Sequence, residues 1–421
     1  MELQPPRGTQ DFLPPAGGSL RALYDAAAAA ARRYGYRYVE TPTFEHTELF
    51  ARTSGETSDV VSKEMYTFVD RGGRSLTLRP EGTAPVVRAY LAHRHDLPSP
   101  FKAYYLTRMF RYDRPQAGRF REHRQFGVEI LDAADPRADV EVISLGDAYL
   151  RALGLSRYEV QINSLGDEVC RPAYRELLVA YLEANRERLR DEHRERFADN
   201  PMRVLDCKDE ACRAVAAEAP RIIDHLCGPC REHFDGVLDG LRAEGLKAQV
   251  TPTVVRGLDY YTRTAFEFVS EVSSLGQAGT LFGGGRYDGL AEALGGERVP
   301  GVGFGLGLER VLLALAEEGI EAPSEPTLDV FVVGVGQDGR AVASELVRAL
   351  RVADISAASS LGDRPLKAQL KMADRAGARF AAIVGDSEAR AGTVTLRRLS
   401  DGAQETVAAG EAPDRVREGD R

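Results

Sequence analysis

The sequence has little cysteine and lacks long apolar runs. Five cysteines in 421 residues, an odd number, do not make a disulfide framework. No segment approaches the ~20 consecutive apolar residues of a membrane-spanning helix. The first residues, Met1 to Arg7, have neither the basic start nor the apolar stretch of a secretion signal. We therefore expect a protein of the reducing cytoplasm that makes no membrane contact.

An excess of basic charge is also absent. The net charge of −9 argues against a protein that coats nucleic acid through bulk charge. The segment from Arg108 to Arg124 differs, because it carries six arginines against only Asp113 and Glu122. An acidic chain with one basic segment suits a partner that is gripped at a defined place.

The length of the chain predicts two or three domains. Over residues 1–322 the hydrophobic pattern indicates a mostly antiparallel sheet carrying helices, an α+β architecture. Between about 170 and 247 the pattern becomes helical, which predicts an insertion between strands. The dense charges of 183–199 favour a solvated helix face there. After a linker at 317–326, strands alternate with helices and predict an α/β domain over 327–421.

The segment Arg79-Pro80-Glu81-Gly82-Thr83 follows a predicted strand. The Glu81 carboxylate could accept hydrogen bonds from an ammonium group there, and the Thr83 hydroxyl could add another. Alternatively, Glu81 is an acid favoured by the dipole at the start of the next helix.

Two predicted strands, Lys102 to Tyr112 and Arg124 to Leu131, flank a polar loop and indicate an antiparallel pair. Arg111 lies on the first strand, where a fixed guanidinium suits a phosphate. Arginines in the loop suit a flexible polyanion such as an RNA end. Gln125 and Glu129 lie four apart on the second strand and share a face. A hairpin with a solvated basic tip is the simpler alternative.

Two further motifs lie near the end of the first predicted domain. Arg256, Asp259 and a tyrosine pair stand directly before the alternating run Thr262 to Val269, which predicts a strand that can aim them. The run Gly301 to Arg310 alternates glycine with apolar residues and then ends in Glu309-Arg310. It lacks the lysine of a phosphate-binding P-loop and the βαβ context of a dinucleotide fingerprint. A tightly packed glycine-rich strand is the alternative.

Taken in order, these motifs resemble the histidyl-tRNA synthetase family of class II aminoacyl-tRNA synthetases. The resemblance covers essentially the whole chain and rests on the following parts: Arg7 to Phe12, Pro42 within Tyr36 to Thr43, Phe110-Arg111 with its loop and return, the segments around Arg256 and Tyr287, Gly305 to Arg310, and Gly362 to Lys367.

The resemblance implies a histidine–tRNA ligase. Such an enzyme activates L-histidine with ATP, usually with Mg²⁺, and forms histidyl-adenylate and pyrophosphate. It then transfers the histidyl group to the 3′ end of tRNA(His). The family also implies a homodimer through the Pro42 motif, an anticodon-binding role for residues 327–421, and no structural metal.

Residue roles follow from the same resemblance. Arg256 and Arg111 are the implied catalytic residues. The implied histidine site comprises Glu81, Gly82, Thr83, Arg111, Gln125, Glu129, Arg256, Tyr260, Tyr261 and Tyr287. The implied ATP site comprises Arg111, Arg119, Phe120, Arg256 and Arg310, and the implied contacts to the tRNA acceptor end are Arg114, Gln116 and Arg121. One departure is Phe120, where the family often has tyrosine; ring stacking on adenine would survive, but a hydroxyl contact would not.

The cysteines allow another interpretation. Cys207-x4-Cys212 and Cys227-x2-Cys230 could supply four zinc ligands. The loose first spacing and the absence of a metal in the resemblance favour ordinary thiols instead.

Two rival functions fit parts of the pattern. The regulatory subunit of ATP phosphoribosyltransferase shares the catalytic-domain fold, but typically lacks the C-terminal domain and the arginine corresponding to Arg256. A synthetase for proline or glycine would not explain Glu129, the Tyr260-Tyr261 pair or the segment Gly284 to Leu290.

Overall fold

The computed structural model describes residues 3–54, 64–116, 118–198, 200–205, 207, 209–255, 258, 260–271, 279–324 and 328–418. The chain divides into two compact units, Met1–Ser324 and Glu325–Arg421. Across the described ranges, no helix combines the length and the apolar character needed to cross a membrane. The domain bounds expected from sequence, 1–322 and 327–421, stay predictions.

The first unit is built on a large sheet and a small one. Its strands, numbered along the chain, are β1 Arg37–Tyr38, β2 Phe44–His46, β3 Tyr66–Val69, β4 Ser75–Leu78, β5 Phe101–Phe110, β6 Glu122–Leu131, β7 Tyr158–Ser164, β8 Ala248–Val250, β9 Thr262–Ser270, β10 Thr280–Arg286 and β11 Gly301–Gly307. The eight-stranded sheet has the order β1-β5-β6-β11-β10-β9-β7-β8, and the three-stranded sheet has the order β2-β4-β3.

Only the two ends of the large sheet are parallel: β1 pairs parallel with β5, and β7 with β8. The pairs between them are antiparallel. The predicted α+β class with a mostly antiparallel sheet is therefore confirmed.

The α-helices of the first unit are numbered in the same way: α1 Ala16–Arg33, α2 Thr47–Ser54, α3 Thr83–His93, α4 Pro136–Ala152, α5 Arg171–Ala184, α6 Asp191–Arg196, α7 Met202–Leu205, α8 Glu210–Ala217, α9 Gly228–Ala243, α10 Leu290–Ala293 and α11 Leu308–Glu318. The run from α5 to α9 lies between β7 and β8, so the helical insertion predicted from sequence is present.

Local sequence explains several helix ends. The alanine run in α1 has the highest helix propensity. The side chain of Asp135 caps α4 by accepting a hydrogen bond from the backbone of Arg137, and Pro136 occupies the first turn. Gly319 ends α11 in the left-handed region with φ 70°, where glycine carries no steric penalty.

The two faces of the large sheet have different neighbours. Tyr104 and Phe266 point into a core formed with α1, α4, α9 and α11. Their chain neighbours Tyr105 and Ala265 point to the opposite face, into a second core, because successive side chains of a strand alternate. Glu129 shares that opposite face through its contact with Tyr105. The candidate site therefore lies on the side of the sheet away from α1, α4 and α11.

The second unit is a small α/β domain. Its strands are β12 Val330–Gly334, β13 Ala357–Ser359, β14 Phe380–Val384, β15 Thr393–Arg398 and β16 Gln404–Ala408, in the order β13-β12-β14-β15-β16. Its α-helices are α12 Gly336–Val352, α13 Leu366–Arg375, α14 Asp386–Ala391 and α15 Ala412–Glu418. Strand β12 is parallel to both neighbours, as the alternating pattern predicts.

Candidate functional site

A cleft of about 1530 Å³ opens on the first unit and collects most of the predicted site residues. Its walls include Glu81, Thr83, Arg111, Arg119, Phe120, Gln125, Tyr260, Tyr261 and Arg310. These residues come from the loop after β4, the hairpin β5–β6, the approach to β9 and the start of α11. The tertiary structure thus joins motifs that lie more than two hundred residues apart in the chain.

Glu129 lies behind the wall of this cleft and is fully buried. Its carboxylate accepts hydrogen bonds from the hydroxyl of Thr83 at 2.8 Å, from that of Tyr105 at 3.2 Å, and from that of Tyr287. Burial raises the pKa of Glu129 to about 8, against the opposing effect of these hydroxyl donors. The predicted residues Glu129 and Tyr287 are thus part of one enclosed polar group.

The glycines of β11 make room for the side chains of β6. A Cβ placed on Gly303 would lie 1.8 Å from Glu129 Oε2, and one on Gly305 would lie 1.5 Å from Gln125 Nε2. At Gly303 such a Cβ would also lie 2.3 Å from the Val128 carbonyl oxygen, whereas at Gly305 it would displace the amide end of Gln125. Glycine therefore leaves room for both side chains in the positions observed. The alternating glycines of β11, which the sequence also allowed to be read as a tightly packed strand, therefore leave space for two polar side chains of β6.

Glu81 has the helix-capping role that the sequence left as an alternative. Its carboxylate accepts hydrogen bonds from the backbone of Thr83 at 2.7 Å and of Ala84 at 3.0 Å, at the start of α3. Burial raises the pKa of Glu81, opposed by these backbone donors and by Arg111. Gly82 is the N-cap, and a Cβ there would lie 2.5 Å from the ring of Tyr105. The cap holds Glu81 rigidly at the cleft wall.

Gln125 supplies an unsatisfied acceptor. Among the residues that the structure describes, its buried Oε1 has no hydrogen-bond partner. A buried polar atom without a partner is destabilising and calls for an explanation, such as a ligand. The side chain lines the cleft, so a donor on a bound molecule could satisfy it.

The tyrosine pair packs beside this acceptor. The rings of Tyr260 and Tyr261 have centroids 4.7 Å apart, and Tyr260 also meets the ring of Tyr287 edge-on at 5.9 Å. The contact with Tyr287 joins the exposed cleft wall to the enclosed group around Glu129.

Two arginines of the cleft wall are oriented by backbone carbonyls. Arg111 Nε donates to Pro80 O at 2.7 Å, and Arg310 Nε donates to Gly118 O at 3.0 Å. Arg310 also donates to the carbonyl of Thr280. Fixed guanidinium groups on two sides of one cleft are suited to a polyanion such as a triphosphate.

The hairpin tip is more ordered than a loose basic loop. The guanidinium of Arg121 stacks on Tyr112 at 3.8 Å and donates to the Asp113 carbonyl at 3.2 Å. Arg119 forms an ion pair with Asp113 at 3.3 Å. Arg114 and Gln116 are exposed. Of the three residues expected to contact RNA, only Arg121 is held in place by the contacts described here.

Sequence reasoning missed some residues of the site. His123 lines the cleft, and burial together with the charges of Arg111 and Arg310 lowers its pKa to about 3, so the imidazole is neutral. Tyr105, which holds Glu129, was also missed. Tyr105 lies opposite Gly127 in the β5–β6 register, and a Cβ at Gly127 would lie 2.1 Å from the tyrosine ring. A glycine paired with a tyrosine could have indicated that this ring needs space.

Arg286, inside the motif that contains Tyr287, is a core residue. It is fully buried, pairs with Asp139, and pairs with Asp288 at 3.1 Å. Asp139 also lies 3.2 Å from His233 Nε2. This charged cluster ties β10 to α4 and α9.

Arg256, the other predicted catalytic residue, lies outside the described residues. So do Gly257 and Asp259 of the same motif. Its role stays a prediction from the family resemblance.

Comparisons with known proteins match both units. A family model described as Histidyl-tRNA synthetase matches residues 8–311, and one described as Anticodon binding domain matches residues 329–419.

Individual relatives are similar over the full length. The chain is 51% identical over 403 residues to a histidine–tRNA ligase of Moorella thermoacetica, covering 96% of this chain and 95% of that protein. It is 47% identical over 405 residues to one of Halothermothrix orenii, covering 96% of each. Apo histidyl-tRNA synthetase of S. aureus has a TM-score of 0.83 at 37% identity, over 99% of this chain and 100% of that one.

Proposed function

Because the chain belongs to the histidyl-tRNA synthetase family, it is an aminoacyl-tRNA ligase that joins histidine to tRNA using ATP, and we propose that histidyl-adenylate forms in the cleft between Gln125 and Arg310. The resemblance inferred from the motifs is confirmed at the level of the family and its reaction. The roles of individual residues are the subject of the proposal.

The proposal is carried by the buried, unpartnered Oε1 of Gln125, together with the enclosed carboxylate of Glu129. Histidine offers its ammonium group as a donor to Gln125 Oε1, and an imidazole N–H as a donor to the Glu129 carboxylate. In the structure, Glu129 accepts hydrogen bonds from three hydroxyl groups. In the proposed complex, the imidazole N–H replaces one of these donors. Both side chains lie on the same face of β6.

The remaining amino-acid contacts come from the cleft wall. Glu81, Thr83 and Gln125 take the ammonium group, and Tyr261 takes the second imidazole nitrogen. Tyr260 and Tyr287 close the pocket around the ring. A pocket that depends on such hydrogen bonds rejects analogues lacking them by roughly 10⁴-fold or more, which makes a separate editing site unnecessary.

The arginines position ATP. Arg111 and Arg310 hold the α- and γ-phosphates, while Arg119 and Phe120 contact the nucleotide, with the Phe120 ring stacked on adenine. Arg256 stabilises the charge that develops at the α-phosphate when the carboxylate of histidine attacks it. Catalysis then rests on positioning and electrostatics, with no side-chain nucleophile.

The donor set of the cleft fits Mg²⁺. This ion binds one or two carboxylates together with substrate phosphates and retains several waters. The carboxylate of Glu267 lines the cleft and accepts a hydrogen bond from Thr280 at 3.0 Å, beside Arg310. Glu267 would hold the ion, which would supply charge neutralisation for the phosphates.

The tRNA contacts are divided between the units. We assign the acceptor end to Arg114, Gln116 and Arg121 at the hairpin tip, where exposed polar groups adjoin the cleft. The second unit binds the anticodon of tRNA(His), an assignment supported by the family match at 329–419.

The proposed homodimer is supported by an exposed apolar face on the small sheet. Phe44 and Phe68 are 50% and 42% exposed, and their rings lie 6.2 Å apart. They flank the same central strand, opposite Leu78 and Leu76. Contiguous exposed apolar side chains typically mark an interface.

The dimer can be tested by light scattering on the purified protein. Phe68→Asp should shift the mass from dimer to monomer. Val352→Asp, at an 82% exposed apolar position in the second unit, is the matched control and should leave the mass unchanged. A wild-type monomer at working concentration contradicts the proposal.

We propose a cytoplasmic location, as the small number of cysteines in the sequence predicts.

ATP–pyrophosphate exchange with each amino acid supplied singly tests the proposed chemistry. We expect exchange with histidine alone, followed by histidylation of tRNA(His) in a second assay. Silence with every amino acid, from a folded protein, would restore the regulatory-subunit alternative, which the match to an anticodon-binding domain argues against.

A further inference from the structure

Four potential metal ligands converge at the base of the helical insertion, outside the cleft. Asp167 and Cys170 come from the loop between β7 and α5, and Cys227 and Cys230 come from the start of α9. Each offers one ligand atom, and these atoms all lie within 4.8 Å of one another. Three of the five cysteines of the chain therefore meet at one point, although some sixty residues separate the two segments.

The spacing of the ligand atoms matches a tetrahedral zinc site. With Zn–S near 2.3 Å and Zn–O near 2.0 Å, a tetrahedron places its oxygen and sulfur ligands about 3.5 Å apart. Asp167 Oδ1 lies 3.5 Å from the sulfur of Cys170 and 3.7 Å from that of Cys227. The carboxylate and these two thiols are thus already near the required separation.

The cysteine ligands lie at the starts of two helices. Cys170 is the N-cap of α5 and Cys227 is the N-cap of α9, with Cys230 in the first turn of α9. Each helix N-terminus carries roughly half a positive charge. Three thiolates and a carboxylate exceed the charge of a zinc ion by two. The two helix ends and a neighbouring arginine offset that excess.

The arginine is Arg263, at the start of β9. Its Nη2 lies 3.5 Å from Asp167 Oδ2, the oxygen that does not approach Cys170. Its backbone is left-handed, with φ 48°, and exchanges hydrogen bonds with Leu165 and Gly166. A ligating carboxylate whose second oxygen is held by an outer partner is the arrangement seen around protein-bound metals.

We propose that Asp167, Cys170, Cys227 and Cys230 form a structural zinc site. Three sulfurs and one oxygen select zinc over Mg²⁺ or Ca²⁺, which prefer oxygen. All four protein ligands close the coordination shell, as in structural sites, and leave no open position for substrate. The ion would join the start of the insertion to the start of α9, and the contact of Asp167 with Arg263 would connect it to the start of β9, directly after the tyrosine pair of the cleft.

The proposal differs from both sequence-based interpretations of the cysteines. The zinc alternative, which the sequence disfavoured, combined Cys227 and Cys230 with Cys207 and Cys212, and the resemblance implied no metal at all. In the structure, Cys207 and Cys212 belong to a separate group with His193. That group offers only three ligands, so its cysteines are suitable controls.

The first test is the metal content of the purified chain, measured by mass spectrometry after removal of loosely bound ions. We expect about one zinc per chain, as for a closed structural site. After exchange into cobalt, we expect thiolate-to-cobalt charge transfer and the visible bands of a tetrahedral ion. A folded wild-type chain that retains no metal and gives no such spectrum overturns the proposal, as does a Cys227–Cys230 disulfide.

Variants then locate the ion. Cys227→Ser with Cys230→Ser should abolish the zinc and the cobalt spectrum, and Asp167→Asn should weaken retention. The matched controls Cys207→Ser and Glu168→Gln should keep both. Metal lost in Cys207→Ser but kept in the Cys227→Ser, Cys230→Ser variant would place the ion elsewhere and refute the assignment. The wild-type measurement decides the question even if a variant fails to fold.

Discussion

At the residue scale, the enclosure of Glu129 decides its chemistry. The three hydroxyls that it accepts hydrogen bonds from belong to α3, β5 and the end of β10, so no local sequence specifies the arrangement. Removal from water outweighs these donors and raises its pKa to about 8. Only after this acid has lost its proton does it offer histidine the stronger, charge-assisted hydrogen bond.

We therefore expect kcat/KM for histidine to fall as the pH decreases through about 8, because protonation of Glu129 in the free enzyme removes the acceptor. The sign follows from the raised pKa: the carboxylate is the active form and predominates only above that value. The measurement is pyrophosphate exchange at subsaturating histidine across pH 6 to 9. A profile that is flat through this range contradicts the assignment.

Glu129→Gln should lower kcat/KM for histidine by roughly 10- to 150-fold, the equivalent of about 1.5–3 kcal/mol for a hydrogen bond to a charged group. The KM for ATP should be unchanged, because Arg111 and Arg310 are intact. The variant should also lose the pH dependence assigned to Glu129. Equal losses toward both substrates would indicate a structural role instead.

At the element scale, the glycines of β11 leave space for side chains of the neighbouring strand β6. Gly303, Gly305 and Gly307 look equivalent in the sequence. A Cβ on the first two would collide with Glu129 and Gln125, whereas a Cβ on Gly307 would meet nothing within 4 Å. Of these three glycines, the site thus depends on the first two and not on the third.

Gly305→Ala should therefore weaken histidine use while leaving the protein folded. The new methyl group displaces the flexible end of Gln125, and overpacking of this kind destabilises by about 1–3 kcal/mol at most sites. Gly307→Ala is the control and should retain both stability and kcat/KM. Thermal unfolding together with pyrophosphate exchange distinguishes the two effects, and identical behaviour of the two variants would contradict the steric explanation.

The charged cluster around Arg286 connects elements in the core rather than binding a ligand. Arg286→Met should lower the free energy of unfolding by about 3–5 kcal/mol, because it leaves Asp139 buried without its cation. Arg151→Met breaks the ion pair of Arg151 with Asp147, in which the arginine is 68% exposed, and should change stability by about 1 kcal/mol or less. Urea unfolding of both variants measures the difference; comparable losses would contradict it.

At the scale of the whole molecule, each unit has its own core. The apolar clusters of the sheet with β5, β6 and β11 contain only residues of the first unit, and those around β12 and β14 only residues of the second. A unit with its own core can fold independently. The two activities, adenylate formation and tRNA recognition, are therefore separable by truncation.

A chain that ends at Ser324 should keep ATP–pyrophosphate exchange with histidine, since every described residue of the cleft lies in the first unit. Its transfer of histidine to tRNA should fall sharply, because the unit assigned to the anticodon is gone. Circular dichroism confirms folding of the fragment. A folded fragment that transfers histidine at the full rate would remove the second unit from tRNA recognition.

The sequence by itself determined the family, the α+β class and several of the residues that line the cleft. Periodicity predicts strands and helices because side chains alternate in one and recur every three to four residues in the other. Motifs such as Arg111 with its hairpin, or Gly305 to Arg310, are contiguous and can be recognised without a structure.

Only the tertiary structure decided which groups touch. Burial and hydrogen bonding depend on neighbours that are distant in the chain, as for Tyr105 and Glu129, or for Arg286 and Asp139. The cysteines show the same limit. Spacing along the chain groups Cys227 and Cys230 with Cys207 and Cys212, whereas the fold brings Cys227 and Cys230 to Asp167 and Cys170. Sequence spacing reports separation along the chain, but coordination and pKa depend on separation in space.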